Sequence, residues 1–457
     1  MFTRVPSCLG ALLFAACLAS PAAAARIVVA PDGDLQAAVE KANDGDTVIV
    51  QGEHHGTLTL ARKLTVEGEA GASLLGPGSG SVVKITAPGA VVRGLTIRGS
   101  GTNLAAMDAG VFVEKTATGA VVENNRLEGN LYGIYLHGAP DAVARNNQIV
   151  GIKEGRINEA GNGFSVWNAP GAKVLDNDVR FGRDGIFAIA SKNNLFKGNH
   201  FRDLRFAVHY MYTDDSEVSD NVSMNNTVGY AIMFSHRLKV KGNVSDGDRD
   251  RGLLFNFAND SEIVGNEVRG RLQSAERWAS PGMRIKEAQE HGLGEVTAPP
   301  TLARGARIGP EKCVFIYNAN KNKFRDNRFE GCGIGVHFTA GSEGNEIAGN
   351  AFINNRNQVK YVGTRYLDWS KDGRGNYWSD NPSFDLNGDG IADSPYRPND
   401  LIDRVLWTAP LAKVLTNSPA VQIIRWAQSQ FPAILPGGVV DSHPLMTPPQ
   451  GPEGVSP

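Results

Sequence analysis

Asparagine returns at one place in a cycle of about 22 residues, at Asn125, Asn147, Asn177, Asn199, Asn221, Asn243, Asn266, Asn327 and Asn350. The successive gaps are 22, 30, 22, 22, 22, 23, 61 and 23, so the two long ones are one cycle plus about 8 and 39 inserted residues. Apolar residues alternate around each asparagine, as in Phe196-Lys-Gly-Asn-His-Phe201 and Val240-Lys-Gly-Asn-Val244. That alternation marks short strands, while Gly and Asn mark turns, where they tolerate a left-handed backbone. No helix-period segment falls inside the repeats. Strands without helices at this period predict an all-β chain, a parallel β-helix whose coils of about 22 residues stack roughly 4.8 Å apart. An asparagine at an inward-turning corner can then bond the backbone of its own turn and the next asparagine along, so the ladder reads as scaffold.

Residues 1–25 read as an export signal, with Arg4 as its basic start, an apolar run from Leu9 to Leu18, and Ala23-Ala-Ala25 before the expected cleavage. The run is too short to cross a bilayer and no later stretch reaches about 18 apolar residues, which predicts an exported chain, soluble or peripheral to the membrane. With 46 basic against 48 acidic residues there is no field to draw in nucleic acid or an anionic membrane. Cys8 and Cys17 leave with the signal. Cys313 and Cys332 remain, 19 residues apart and so three short of one coil, which suits either a disulfide or two buried thiols. A solenoid grows by adding coils, so 457 residues need not divide into several cores.

Along the chain, residues 32–50 read as a capping helix and the first strand. The solenoid is expected over 26–356, interrupted by a short polar loop at 153–161 and a long insert at about 271–309 that holds Trp278 and a helix-compatible stretch from Ile285 to His291. A loop of that length is either functional or disordered. A C-terminal cap follows over 357–398. Residues 399–446 carry two short apolar helices, broken at Pro410 and restarted at Asn417-Ser-Pro419, and a Pro/Gly tail over 447–457 is expected to be disordered.

Aligning the coils on the asparagine sorts strand residues by face. Ile134, Phe164, Ile186, Val208, Leu253 and Val314, with the larger Tyr210 and Tyr230, belong inside. Outside stand Tyr135, His137, Trp167, Phe187, Ile189, His209, Met211, Met233, Phe315, Tyr317 and His337. A solvated sheet would be polar there, so this stripe predicts a covered face: either a binding surface or one over which an insert or the C-terminal segment folds. Within it, Met211 and Met233 hold the same place one coil apart, with His209 and His236 close in sequence. Thioether and imidazole suit copper(I), although a methionine ladder also serves plain packing.

Two further signals lie beyond the coils. Asp385, Asn387, Asp389 and Asp393, with the carbonyl of Ile391, have the oxygen spacing of a calcium loop, although Tyr396 stands where its last glutamate would be. Leu401, Val405, Leu406, Leu411, Leu415 and Ile424 form apolar faces on segments too short to cross a membrane, which either dock on a membrane partner or fold back on the last coil. A chain cut after Tyr396 is expected to remain a folded solenoid.

Several stretches together, namely Ser100-Gly-Thr-Asn-Leu-Ala-Ala-Met-Asp-Ala-Gly110, Glu311-Lys-Cys-Val-Phe-Ile-Tyr-Asn-Ala-Asn-Lys-Asn322, Gly375-Asn-Tyr-Trp-Ser-Asp380, the 385–393 loop, and Asn417-Ser-Pro-Ala-Val421 with Val440-Asp-Ser-His-Pro444, resemble the NosD family of periplasmic nitrous oxide reductase maturation proteins. The resemblance implies a right-handed parallel β-helix in the periplasm that is not itself a catalyst. It implies work with an ABC transporter, made of a membrane subunit and the ATPase that carries the catalysis, to assemble the copper centres of nitrous oxide reductase, with copper arriving from a lipoprotein chaperone. Carried onto this chain, His137, Trp167, His209, Met211, Met233, His236 and His337 become candidates for copper or for the reductase and chaperone surface, and 400–446 the transporter contact. The insert at 271–309 looks longer than the family carries. A rival class is a carbohydrate-binding or polysaccharide-cleaving β-helix, but Asp214-Asp215 is the only tempting carboxylate pair and no acid/base geometry is readable.

Overall fold

The computed structural model describes residues 24–153, 156–157, 159–274, 307–363, 365–399, 405, 415, 418–430 and 438–449. Three parallel sheets of 13, 12 and 13 strands run its length, and each full coil adds one strand to each. The first extends from Arg26–Val29 to Glu346–Ile347, the second from Leu58–Leu60 to Asn357–Val362, and the third from Glu53–His55 to Tyr377–Trp378. This is the parallel β-helix that the period demands, right-handed as parallel crossovers are.

Alternation places the inner columns as the sequence suggests. In the second sheet Ile134, Phe164, Ile186, Val208, Tyr230, Leu253, Val314 and Val336 are successive register partners, none more than 2% exposed. Each such side chain contributes about 1.5–3 kcal/mol by leaving water. The hydroxyl of Tyr230 lies 2.7 and 2.9 Å from the carbonyl oxygens of Asn221 and Val244, so the larger ring brings no unmet polar group inside. At the N-terminal end, helix Leu35–Lys41 lays Leu35 and Val39 over the open core, and the Asp34 carboxylate caps it by accepting from the Ala37 N–H at 2.9 Å. Cys313 and Cys332 are bridged, with Cα atoms 5.7 Å apart and both side chains buried.

The asparagine ladder is directional. The Asn221 side-chain oxygen accepts both the backbone N–H and the side-chain amide of Asn199, at 3.0 and 2.9 Å. The Asn221 amide donates to the Phe196 carbonyl at 2.9 Å. The main acceptor thus lies in the preceding coil rather than in the residue's own turn, and every rung relies on one oxygen of the next to accept two of its donors. Two positions extend the nine. Asn376 accepts from Asn350 in the same way, at 3.0 Å from both donors, and the Asp441 carboxylate closes the series. Its Oδ2 accepts the Asn376 backbone N–H at 2.6 Å and the Trp378 indole N–H at 2.7 Å. A Cβ on Gly375 would sit 1.7 Å from Asp441 Oδ1, so only glycine lets the carboxylate in.

Asp441 arrives on a returning segment. Strand Gly438–Val440 pairs in parallel with Tyr366–Asp368, and Tyr396 and Asp441 form an antiparallel bridge. Residues 397–440 therefore leave and return at one place, an excursion with two anchored feet. Within it, helix Pro419–Gln430 is described; Val421 is buried, while Ile423 and Trp426 are 64% and 63% exposed. The long insert leaves and re-enters through an antiparallel pair, Arg271–Gln273 with Arg307–Gly309. The helix-compatible stretch at 285–291, the first of the two C-terminal helices apart from Val405, and residues 450–457 of the tail lie outside the described residues.

The anchored return revises the expectation that a chain cut after Tyr396 keeps its fold intact, because the cut removes Asp441 and strands Asn376. Truncation there should lower the melting temperature clearly, whereas replacing 401–436 with a flexible linker of about ten residues should leave it near that of the full chain. Asn221→Ala, which leaves two buried donors of Asn199 without an acceptor, should cost at least about 2 kcal/mol in denaturant unfolding.

Candidate functional site

The outer face of the second sheet carries two columns that the register makes explicit. One runs through Phe187, His209, Ala231, Leu254, Phe315 and His337; the other through His137, Trp167, Ile189, Met211, Met233 and Asn256. At the N-terminal end, the His137 ring stacks on Trp167 at 4.6 Å and 19°, and the indole is 40% exposed. The middle is apolar and packed on itself. Val228, Ala231 and Leu254 are buried against Phe206, Met233 and Phe315, a cluster separate from the interior core.

Met211 and Met233 are register partners on adjacent rungs. Met233 also belongs to the apolar cluster, which gives that thioether a packing role whatever else it does. The sequence candidates around the pair are not all brought to it. His209 is on the same face but only 7% exposed, with Nδ1 3.3 Å from Asp184 Oδ2 and its ring against Phe187 and Phe206. Burial opposes the charge on Asp184, but hydrogen bonds from His209 and from Arg205, whose guanidinium binds at 2.8 and 2.6 Å, hold the carboxyl below the usual range. His209 Nε2 is left buried without a partner. His236 lies round the corner, its Nδ1 3.2 Å from Asp214. The adjacent Asp215 binds Arg237 at 2.6 and 2.8 Å, which lowers its pKa. Both members of the tempting acidic pair are thus engaged with bases, and neither is placed as a general acid.

His337 sits at the other end. Its ring packs on Phe315 at 4.9 Å, and burial together with Lys312, Lys360 and Arg251 pushes its pKa down to about 4. It is therefore neutral at ordinary pH, yet three cations around it weigh against a metal ion there.

An exposed feature beside the methionines has no counterpart in the sequence reading. Tyr212, Phe234 and Phe257 stack at 5.1 and 5.2 Å, and Tyr317 meets Phe257 edge-on at 5.9 Å. The first three take φ of 51°, 49° and 50°, a left-handed conformation that costs bulky residues of order 1–3 kcal/mol each. Alternation assigns them inward, since they follow the outward Met211, Met233 and Asn256. The left-handed turn swings them out instead. Their 22- and 23-residue spacing was the available signal.

The carboxylates of the Asp385–Asp393 loop are turned to backbone donors. Asp385 accepts from the N–H groups of Gly388, Asp389 and Gly390, and Asp393 from that of Leu386. Among the described residues no three acidic, histidine or cysteine side chains converge as a metal site. Asn387, Asp389 and Ile391 share this exposed loop, so the expected oxygen ligands lie on one turn without a preformed cage. Of the expected transporter residues, Val405, Leu415 and Ile424 are 43%, 60% and 39% exposed, while Leu401, Leu406 and Leu411 lie outside the described residues.

The architecture defines a class: a parallel β-helix with an apolar and aromatic outer face on one of its sheets. The comparisons place it further. The family model described as periplasmic copper-binding protein (NosD) matches residues 145–383. A protein of Stutzerimonas stutzeri called probable ABC transporter binding protein NosD is 38% identical over 86% of this chain and 85% of its own length. Its namesake from Pseudomonas aeruginosa is 41% identical over 88% of each. The chain belongs to the NosD family. Among solved structures, the Dettilon tailspike protein aligns with a TM-score of 0.50 over 74% of this chain and 68% of its own, at 14% identity, a likeness of fold alone.

The histidine at the cationic end yields a pH test. Because its folded pKa lies below its ordinary 6.5, the stability it carries is complete above that value and is lost as pH falls toward about 4. His337→Gln should flatten the fall in melting temperature across that window, and an unchanged slope would show that the ring is not held neutral.

Proposed function

We propose that this chain is an exported, non-catalytic scaffold that works with an ABC transporter in assembling the copper centres of nitrous oxide reductase. It docks the apo-reductase and a copper chaperone along its outer face, and the membrane subunit of the transporter through residues 399–446. The observation that carries this reading is that both relatives, matched over most of their length, are called ABC transporter binding proteins, while the family is described as periplasmic and copper-binding. The anchored excursion supports it: helix Pro419–Gln430 presents Ile423 and Trp426 to solvent from a base tied to the last coil. No described helix is long and apolar enough to cross a membrane, so attachment runs through the partner.

Copper is cargo in this scheme. Met211 and Met233 supply the soft ligands, and since His209 faces Asp184 and His236 faces Asp214, the pair is an open site to be completed by a ligand of the incoming protein. Calcium in the Asp385–Asp393 loop has a structural role, fixing the turn that bridges Ile391 to Leu445 on the returning segment. Chelation should then lower the melting temperature, and calcium should restore it.

Capture of the full chain from native periplasm and membranes should retain reductase and transporter together, and the 401–436 deletion should lose the transporter while keeping the reductase. Met211→Leu with Met233→Leu should weaken copper(I) binding at least tenfold in competition with a chelator; unchanged affinity rejects the methionine pair. Cleavage of a uronate polymer, abolished by Asp215→Ala, would replace this reading with the carbohydrate one.

A further inference from the structure

Toward its C-terminal rungs the outer face changes from apolar to cationic. Arg251 stands opposite Lys312 in the register, Leu254 opposite Phe315, and in the next rung Ile334 opposite Lys312 and His337 opposite Phe315. Two cations converge on one ring: the Arg251 guanidinium carbon is 5.2 Å and the Lys312 ammonium 5.6 Å from the Phe315 centroid. Lys360 follows opposite His337. Burial and these three cations together pull the His337 pKa down. Glu311, itself half exposed, pairs with Lys312 at 3.2 Å.

Arg251 has no ion pair among the described residues, and its Nε is buried without an acceptor; His337 Nδ1 is in the same position. Nearly all buried donors are paired, and leaving one open costs about 1–3 kcal/mol. A ligand that comes from solvent meets the outer N–H groups of the guanidinium with charge-assisted hydrogen bonds. A carboxylate does so best, because it takes two parallel N–H bonds from a guanidinium. The flank decides its source. Ile334 and Phe315, both half-buried, border the cations, and a free hydrated anion would leave that apolar surface uncovered, whereas an acidic residue on a protein segment brings apolar neighbours with it.

We propose that Arg251, Lys312 and Phe315 form the docking site for an acidic segment of a partner protein, an Asp or Glu carboxylate bridging the two cations while its neighbours cover Phe315 and Ile334. This rests on the reading of the outer face as a docking surface. It separates the recognition end of that face, one charged anchor beside an apolar patch, from the methionine pair.

A photo-crosslinker replacing Ile334 in the full chain, illuminated in native periplasm with membranes, tests it. The crosslink is expected on an acidic stretch of one partner, at least tenfold weaker with Arg251→Glu, partly restored with Arg251→Lys, which keeps the charge and loses the paired N–H bonds, and weakened by salt. All Arg251 variants should melt near the wild-type temperature, since no ion pair is lost. No crosslink, a crosslink to a segment without acidic residues, one to residues 275–306 of this chain, or a yield indifferent to the charge at 251 overturns the proposal. If the acidic segment belongs to neither reductase nor chaperone, the partner assignment falls and the anchor stands. If the reductase crosslinks through a neutral segment, the reverse holds.

Discussion

A stack of coils must satisfy its backbone at every corner, where the strand ladders stop and the chain turns inward away from water. Here the asparagine amide does it. One side chain holds an acceptor for the coil before it and a donor for a carbonyl further back, so the corner groups are paired without any contact with solvent. Such a ladder has a direction and hence two unlike ends. At the start, Asn125 simply receives the Leu95 N–H at 3.0 Å. At the finish an acceptor is required and a donor is not, which is the chemistry of a carboxylate, and Asp441 supplies it. The chain must therefore come back to the last coil after its excursion, and the placing of the whole C-terminal region follows from that one demand.

The same regularity explains what the sequence could reveal. A 22-residue period and alternation fix register, so the inner columns and the outward places of His137, Trp167, Met211 and Met233 were legible from the residues. Legibility stops where one of those two rules stops. Asn376 follows Asn350 by 26 residues and carries the same Gly-Asn phrase, but falls out of period. Asp441 lies 65 residues beyond its partner and belongs to no repeat. Tyr212, Phe234 and Phe257 keep the period and break the alternation, because a left-handed residue reverses the side it faces. His209 obeys both rules and stands on the outer face as read, but alternation reports the face and is silent about neighbours: Asp184, Phe187 and Phe206 leave it 7% exposed.

The outer face is accordingly divided among physically different tasks. Stacked and exposed rings at His137 and Trp167 offer flat contact, the Val228, Ala231 and Leu254 cluster stiffens the middle, and the cations on Phe315 provide charge. The strained aromatic row beside the methionines is the least expected element. Three successive coils bear a left-handed aromatic residue where asparagine or glycine would relieve it, as Asn168 and Gly138 do at equivalent turns. Stacking returns part of that cost, about 0.5–1.5 kcal/mol per pair, and leaves a rigid, partly exposed rail next to Met211 and Met233.

Solenoid coils interact mainly with their neighbours, so a disturbance at one rung dies out within a few coils. An event on the outer face near Met211 lies several coils from the clasp at Asp441, and the Asn ladder between them is fully satisfied with no second arrangement to adopt. On the proposed reading the scaffold then couples its partners by holding them together rather than by changing shape. Two sites joined by a stiff rod raise the effective concentration of one partner at the other, and the rod's length, set by the number of coils, fixes which pairs can meet. The insert at 271–309 adds no rung, because its ends pair with each other and the coil resumes in register across it, Arg251 opposite Lys312. A sequence of this kind can therefore gain a recognition element on its face without altering the distance between its partners.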